Sequence, residues 1–287
     1  MVMSSDLPFL STDNQTYDKH SFSRDNFKAP KLSRFSFNEY HILKCISWGA
    51  DGVVYSASFD GQKQVALKIF HHNHRREEGQ PYTIDSKGLV TEYWAFEREC
   101  INAGLLKMIA ASIEHSKSSG EPIYLKKDPT TREDAVNNLE AFSDEGRLLK
   151  EDFQEGDLMA FKSNAKITDC LGWVEFDPTS FENATAWVDH GIRLGQRPDP
   201  GPIFGIVYEW VSTEKLEKEI ARSQLEFFHI TGFSMRWFYP QNWLGNGILV
   251  DFSDIIPPFE GLGWDDAEYR LYRKSCIGEM EEYLDSQ

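Results

Sequence analysis

The sequence predicts an α+β fold, on three observations. Three short β-rich segments, His41–Ser47, Val53–Phe59 and Gln64–Phe70, follow one another with glycine turns between them, the pattern of an antiparallel meander. A helical period then takes over, with Tyr93, Phe96, Cys100 and Ala103 spaced to share one face. Two further apolar runs, Cys170–Phe176 and Phe204–Val211, read as strands.

Element by element, residues 1–38 are rich in Ser, Asp, Asn, Lys and Pro without a sustained period, which predicts a disordered N-terminal arm, flexible or docking on a partner. Gly49 and Gly52 mark the first turn of the meander, and Asp60-Gly61 is a hairpin signal. After the polar stretch His71–Ser86, a helix is predicted over Thr91–Met108 with Thr91 as its N-cap. Thr131–Lys150 reads as helical, and Thr131-x-x-Asp134 is a capping signal. The Pro/Asp-rich stretch ending in Arg197–Pro202 is a loop. Ser212 can cap a helix to Ile230 that Gly232 ends. An irregular Met235–Leu244 leads to a short apolar strand pair, Gly247–Phe252. The last helix, Asp265–Leu284, presents Tyr269, Tyr272, Cys276, Met280 and Tyr283.

Composition narrows the function classes. Among 287 residues, 40% are apolar and 14% aromatic, which excludes a wholly disordered chain. Forty-six acids against 30 bases leave a net charge of −16, which argues against unaided binding to nucleic acid or an anionic membrane. No apolar run approaches the length of a membrane span. Met1–Leu10 lacks a basic start followed by an apolar block, so no secretory signal is expected. Cys45, Cys100, Cys170 and Cys276 form no CxxC pair and read as buried thiols in a reducing, intracellular compartment, cytoplasmic or nuclear.

The most informative run is Ile46-Ser-Trp-Gly-Ala-Asp-Gly-Val-Val-Tyr55, followed by Val65-Ala-Leu-Lys-Ile69. A glycine turn between antiparallel strands lets backbone amides approach phosphate without Cβ interference. Lys68 on the next strand can reach such phosphates, and the small Ala66 on its face leaves room for a flat ring. The combination resembles the glycine loop and lysine strand of the protein-kinase fold. Gly49 and Gly52 fill the second and third glycine positions, and Ser47 replaces the first.

The resemblance implies a helical carboxylate for Lys68. Glu97 and Glu99 are the candidates; two steps of about 100° separate them, so only one faces the lysine, and Glu99 is favoured. It also implies a nucleotide pocket of Gly49, Gly52, Val54, Ala66, Lys68 and Glu99, closed by a hinge of Tyr208 (the gatekeeper position), Glu209 and Val211. Asn242 and Asp251 fall where kinases place two magnesium ligands, Asp251 within Asp251-Phe-Ser253 in place of Asp-Phe-Gly, so ATP and Mg2+ are the implied cofactors. Five residues before Asn242, where kinases keep the aspartate base, stands Trp237, and an indole accepts no proton. The nearest substitutes, His229 and Asp254, are out of register.

After Ser253 only 34 residues remain, too few for the usual substrate-binding helices of a kinase. The chain is similar to a fungal family of kinase-like proteins named for a kinetochore subunit of the centromere-associated Sim complex. The likeness rests on Val65–Phe70, Glu99-Cys100, Gly205–Val207 and Leu249–Ser253. It implies an antiparallel five-stranded small lobe over 39–211, enlarged by insertions at 109–165 and 178–202, and a strongly reduced helical large lobe over 212–287. A kinetochore location is implied by that resemblance alone.

Two functional readings follow. One is a pseudokinase-like binding and assembly protein that retains ATP–Mg2+ contact and recruits a basic protein partner. The other is an atypical small phosphotransferase, since phosphoryl transfer is mainly positioning and charge neutralisation. His71-His-Asn-His74 lacks a completing ligand and reads as a solvated loop, Arg75-Arg76 is offset by Glu77-Glu78, and no nucleophile elbow is present.

Overall fold

The computed structural model describes residues 7–12, 22–49, 51–61, 63–71, 94–148, 156–163, 165–185, 201–212, 214–235, 237–259 and 264–286. In chain order the elements are β1 (Leu10–Ser11), α1 (Arg24–Lys28), β2 (Leu32–Ser33), β3 (Tyr40–Trp48), β4 (Gly52–Phe59), β5 (Val65–Phe70), α2 (Ala95–Ser119), β6 (Tyr124–Lys126), α3 (Arg132–Glu140), α4 (Asp144–Leu148) and β7 (Leu158–Ala160). They continue with β8 (Cys170–Phe176), α5 (Pro178–Thr185), β9 (Ile203–Glu209), α6 (Lys218–Ile230), β10 (Ser234–Met235), β11 (Trp243–Leu244), β12 (Ile248–Leu249), β13 (Ile255–Ile256), α7 (Asp266–Tyr272) and α8 (Gly278–Asp285). A π-helical turn, Arg273–Ile277, joins the last two helices. The protein is therefore mixed α and β. No helix among the described residues is long and apolar enough to cross a membrane.

The chain divides into two compact units. The first comprises Met1–Gln15, Lys31–Ile101 and Asp169–Trp210; the second comprises Thr16–Pro30, Asn102–Thr168 and Val211–Gln287. The first unit is built on a five-stranded antiparallel sheet in the order β3-β4-β5-β9-β8. Alternation along each strand sends Val53, Tyr55, Ala57 and Phe59 of β4, and Val65, Leu67 and Ile69 of β5, to one face. There they pack with Val174, Phe176, Ile203, Val207 and Phe181 of α5 as a continuous apolar core. The opposite face receives the first turns of α2 through a ring cluster: Phe96 stacks on Phe204 with centroids 5.0 Å apart and lies 5.2 Å from Phe70.

Gly52 opens β4 opposite Phe70, where a Cβ would collide with the Ile69 carbonyl oxygen. The hairpin signal at Asp60-Gly61 is borne out: both have positive φ, 49° and 66°, and the Asp60 carboxylate accepts from the Asn38 and Glu39 amides.

In the second unit the capping signal at Thr131 forms a reciprocal box: the Asp134 amide donates to Thr131 Oγ1 at 3.1 Å, and the Thr131 amide to Asp134 Oδ2 at 3.1 Å. Helix α6 ends, as expected, at Gly232, whose φ is +100°. Tyr269, Tyr272, Cys276 and Met280 are buried, whereas Tyr283 is exposed.

Several expectations need correction. The predicted arm, 1–38, is ordered where it is described: β1 pairs in parallel with β2, and Phe9, Phe22, Phe27 and Leu32 are buried. Its isolated aromatics find partners far along the chain, as when Phe9 packs edge-on against Trp94 with centroids 5.5 Å apart, and its backbone does too: the Trp173 indole donates to the Ser11 carbonyl. Residues 102–168 belong to the second unit, so the predicted insertion 109–165 does not enlarge the sheet-bearing unit. Of the insertion 178–202, residues 178–185 form α5, whose Phe181 is core, and 186–200 lie outside the described residues.

Helix α2 runs past Met108 to Ser119, stopping before Gly120 at φ +77°; Thr91 and Tyr93 lie outside the described residues. The Thr131–Lys150 helix is interrupted, because Ser143 Oγ donates back to the Glu140 carbonyl and accepts the Gly146 amide. Ser212 caps no helix: its carbonyl accepts from Gly245, and α6 begins at Lys218. Three cysteines are buried, while Cys45 is only partly covered.

Gly52→Ala tests the close approach of β4 to β5. The added methyl must displace strand backbone, so the variant should lose about 1–3 kcal/mol in urea denaturation. Gly49→Ala, where nothing lies within 4 Å, should lose much less.

Candidate functional site: a buried lysine, glutamate and tyrosine

Register places the functional side chains of the first unit. Lys68 lies opposite Val54 on one side and Ile206 on the other, and Ala66 lies opposite Ser56 and Tyr208. Opposed residues in an antiparallel pair project to the same face. Lys68, Ala66, Val54 and Tyr208 therefore share the face that α2 covers, away from the apolar core.

Onto that face α2 delivers Glu99. Lys68 Nζ donates to Glu99 Oε2 at 2.6 Å, and the Tyr208 hydroxyl donates to Glu99 Oε1 at 2.6 Å. Lys68 is 6% exposed, Tyr208 4% and Glu99 0%, so this is a desolvated cluster. The Lys68 ammonium also stands 5.3 Å from the Phe70 ring centroid. A charged pair this deep holds only when its geometry is good and its remaining valences are filled. Tyr208 fills one of them. Burial pushes the Tyr208 phenol well above its usual range, and the Glu99 charge adds to the effect. The adjacent Cys100 thiol is likewise pushed well up, first by burial and then by Cys170 and Glu99. Such a thiol is a packing group rather than a nucleophile.

Glu99 is thus the acid that meets Lys68, the choice favoured over Glu97. The glycine turn is closed by the Gly49 amide donating to the Gly52 carbonyl at 2.9 Å, and His71 Nε2 lies 3.2 Å from the Gly49 carbonyl. Glu209 ends β9, its amide donating to the Asp169 carbonyl and its carboxylate accepting the Asp169 amide. Val211 begins the next segment of the second unit.

In the second unit, β11 and β12 form a hairpin pairing Trp243 with Leu249 and Leu244 with Ile248. One step outward the Val250 amide donates to the Asn242 carbonyl at 2.8 Å, which brings Asn242 beside the residue preceding Asp251. The Asn242 side-chain amide donates to Asp254 Oδ2 at 2.8 Å, and Asp251 Oδ1 accepts from the amide and hydroxyl of Ser253. Asn242, Asp251 and Asp254 offer only oxygen donors, the kind magnesium takes. Among the described residues no group of three or more His, Cys, Asp or Glu could hold a metal ion.

Trp237 lies in the irregular stretch between β10 and a 3-10 turn at Pro240–Asn242. His229 is buried on α6 with its ring stacked on Tyr269 at 4.6 Å.

Two features lie beyond what the sequence predicts. Tyr208, expected at the gatekeeper position, also donates its hydroxyl to Glu99. Asn102, fully buried, donates from Nδ2 to the carbonyls of Phe252 and Ile255, both at 2.7 Å, and so fixes the Asp251-Phe-Ser253 turn. Its signal was present: a polar residue three positions after Glu99 on a helix whose neighbours there are apolar.

Removing one partner of a buried pair strands the other charge. Lys68→Met should therefore cost about 3–5 kcal/mol in chemical denaturation, and the double variant Lys68→Met/Glu99→Leu should recover part of that loss. A double variant worse than the single would disprove the account. Stability should also fall as pH rises past about 10. Above that value the unfolded phenol, with its ordinary value of 10.0, releases its proton, while folded Tyr208 keeps it. Tyr208→Phe should make this alkaline limb shallower, with the Tyr55 and Tyr272 phenols, which burial also raises, supplying the rest.

The chain matches no protein-family model and no curated protein, so its function is argued from this geometry.

Proposed function

We propose that this chain is a pseudokinase-like binding protein, with a kinase-like small lobe in the first unit and no efficient phosphoryl transfer. The observation that carries the reading is the buried Lys68–Glu99 pair, on a lysine strand next to the strand that ends at Glu209. Few sequences place an ammonium inside an antiparallel sheet, and a helix that delivers one carboxylate to it is the arrangement the kinase resemblance implies. The cluster is inward-facing: both oxygens of Glu99 are engaged within the unit, and Lys68 is almost wholly buried. That favours a structural clasp over an ammonium held out to a phosphate.

Trp237 supports the same conclusion. Its indole only donates, and general-base assistance is worth about 10²- to 10⁴-fold. In this reading Gly49, Gly52, Val54, Ala66 and the Tyr208–Val211 strand end are the remains of a nucleotide site. Asn242 and Asp251 are the residues that would hold magnesium, which would neutralise phosphate charge. Recruitment of a basic protein partner suits the net charge of −16. The second reading, an atypical phosphotransferase, draws on the hairpin that keeps Asn242 beside Val250, the residue before Asp251, so that both can offer oxygen donors.

A titration of ATP with and without Mg2+ against thermal stability tests the choice, with γ-phosphate release measured in the same preparation. We expect a shift below about 2 °C at millimolar nucleotide, the signature of weak or absent binding, and no release above background. Phosphate release that Asp251→Asn abolishes would establish the second reading instead.

A further inference from the structure

We infer that His71 is a positioning residue for the glycine turn: its ring holds the 49–52 turn shut on itself, so that the Gly49 amide is withheld from phosphate. The inference rests on the nucleotide-site reading of that turn and adds the contact that regulates it.

Packing does little to hold this turn. A Cβ at Gly49 would meet nothing within 4 Å, and Trp48 beside it is 64% exposed. Hydrogen bonds set the shape instead. The Gly49 amide donates to the Gly52 carbonyl at 2.9 Å. Beyond the last paired residues of β4 and β5, Gly52 and Phe70, the His71 amide donates to the Asp51 carbonyl at 3.0 Å. That bond fixes the His71 backbone beside the turn, and the ring reaches across it, with Nε2 3.2 Å from the Gly49 carbonyl. A carbonyl only accepts, so Nε2 carries the hydrogen and the ring is the donor. Both backbone groups of Gly49 are thereby engaged within the turn and its neighbour.

A turn holds phosphate through backbone amides that point at it. Gly49 is the glycine with open space around it, yet its amide points at a carbonyl, and freeing that amide requires the turn to open. The ring bond is solvent-exposed, and one such bond biases an equilibrium only about two- to twelvefold. A bias of that size keeps the closed form in excess and still lets the turn open thermally. The ring therefore acts as a weak autoinhibitory contact. Of His71-His-Asn-His74, the first histidine is thus used by the turn, and residues 72–74 lie outside the described residues.

The full chain tests this in three ways. At about pH 9, where an imidazole is neutral, the ring-nitrogen chemical shifts of His71 should show the proton on Nε2. A proton on Nδ1 would overturn the proposal. His71→Leu should speed hydrogen exchange of the Gly49 amide by about 3- to 10-fold, and His71→Gln, whose side-chain amide can still donate, should restore most of the protection. Equal exchange in the wild type and both variants would overturn it as well. Because the closed turn is the fraction that cannot bind, His71→Leu should tighten ATP binding by about the same factor, measured by titration with Mg2+ present. Faster exchange with unchanged ATP binding would leave His71 as the positioning residue of the turn and overturn the nucleotide reading instead.

Discussion

The burial of the Lys68 ammonium constrains more of this structure than any other single interaction. An ammonium on a central strand of a five-stranded sheet, 6% exposed, is tolerable only with a carboxylate in contact. That requirement fixes the rotation of α2, since turning the helix by one residue would swing Glu99 away by about 100°. It fixes the neighbour on β9 too, because the second oxygen of Glu99 is as deeply buried as the first and takes the Tyr208 hydroxyl. The Phe96, Phe204 and Phe70 rings then hold the same helix to the same sheet face by dispersion alone. Polar specificity and apolar adhesion act here on adjacent turns.

The glycine turn separates two meanings that one residue type can carry. Gly52 is demanded by backbone packing, since the Ile69 carbonyl leaves no room for a Cβ, and any tight β4–β5 pairing would need it. Gly49 has open space around it, so packing does not explain it. A phosphate-approach role can rest on Gly49 and cannot rest on Gly52. The proposed kinase-like reading therefore rests on the buried charge cluster rather than on the Gly-x-x-Gly spacing.

What the sequence made legible was local. The meander, the Thr131 capping box, the stop at Gly232 and the Asp60-Gly61 hairpin each depend on residues within a few positions, and each is present. The lysine–glutamate pair is legible because helical geometry allows only one of Glu97 and Glu99 to face Lys68, although both are buried. The N-terminal segment is not legible, because Phe9, Phe22, Phe27 and Leu32 share no period, and Phe9 and Phe22 pack against Trp94 and His115, far along the chain. Ser212 misled for a similar reason: its tie to Gly245 crosses 33 positions and competes with the capping role its type suggests. The Tyr208 bond escaped because a strand's alternation gives the face of a hydroxyl and not its partner.

Asn102 is a second polar residue that constrains α2. It follows Glu99 by three residues, so the two side chains project from neighbouring turns of the same α2 face. Glu99 accepts two hydrogen bonds, and Asn102 donates two, to the carbonyls of Phe252 within the Asp251-Phe-Ser253 turn and of Ile255 just after it. An acceptor and a donor at this spacing bind chemically opposite targets, so neither can substitute for the other if the helix slips. The register of α2 is consequently specified twice, once by a charge that must be neutralised and once by carbonyls that must be satisfied.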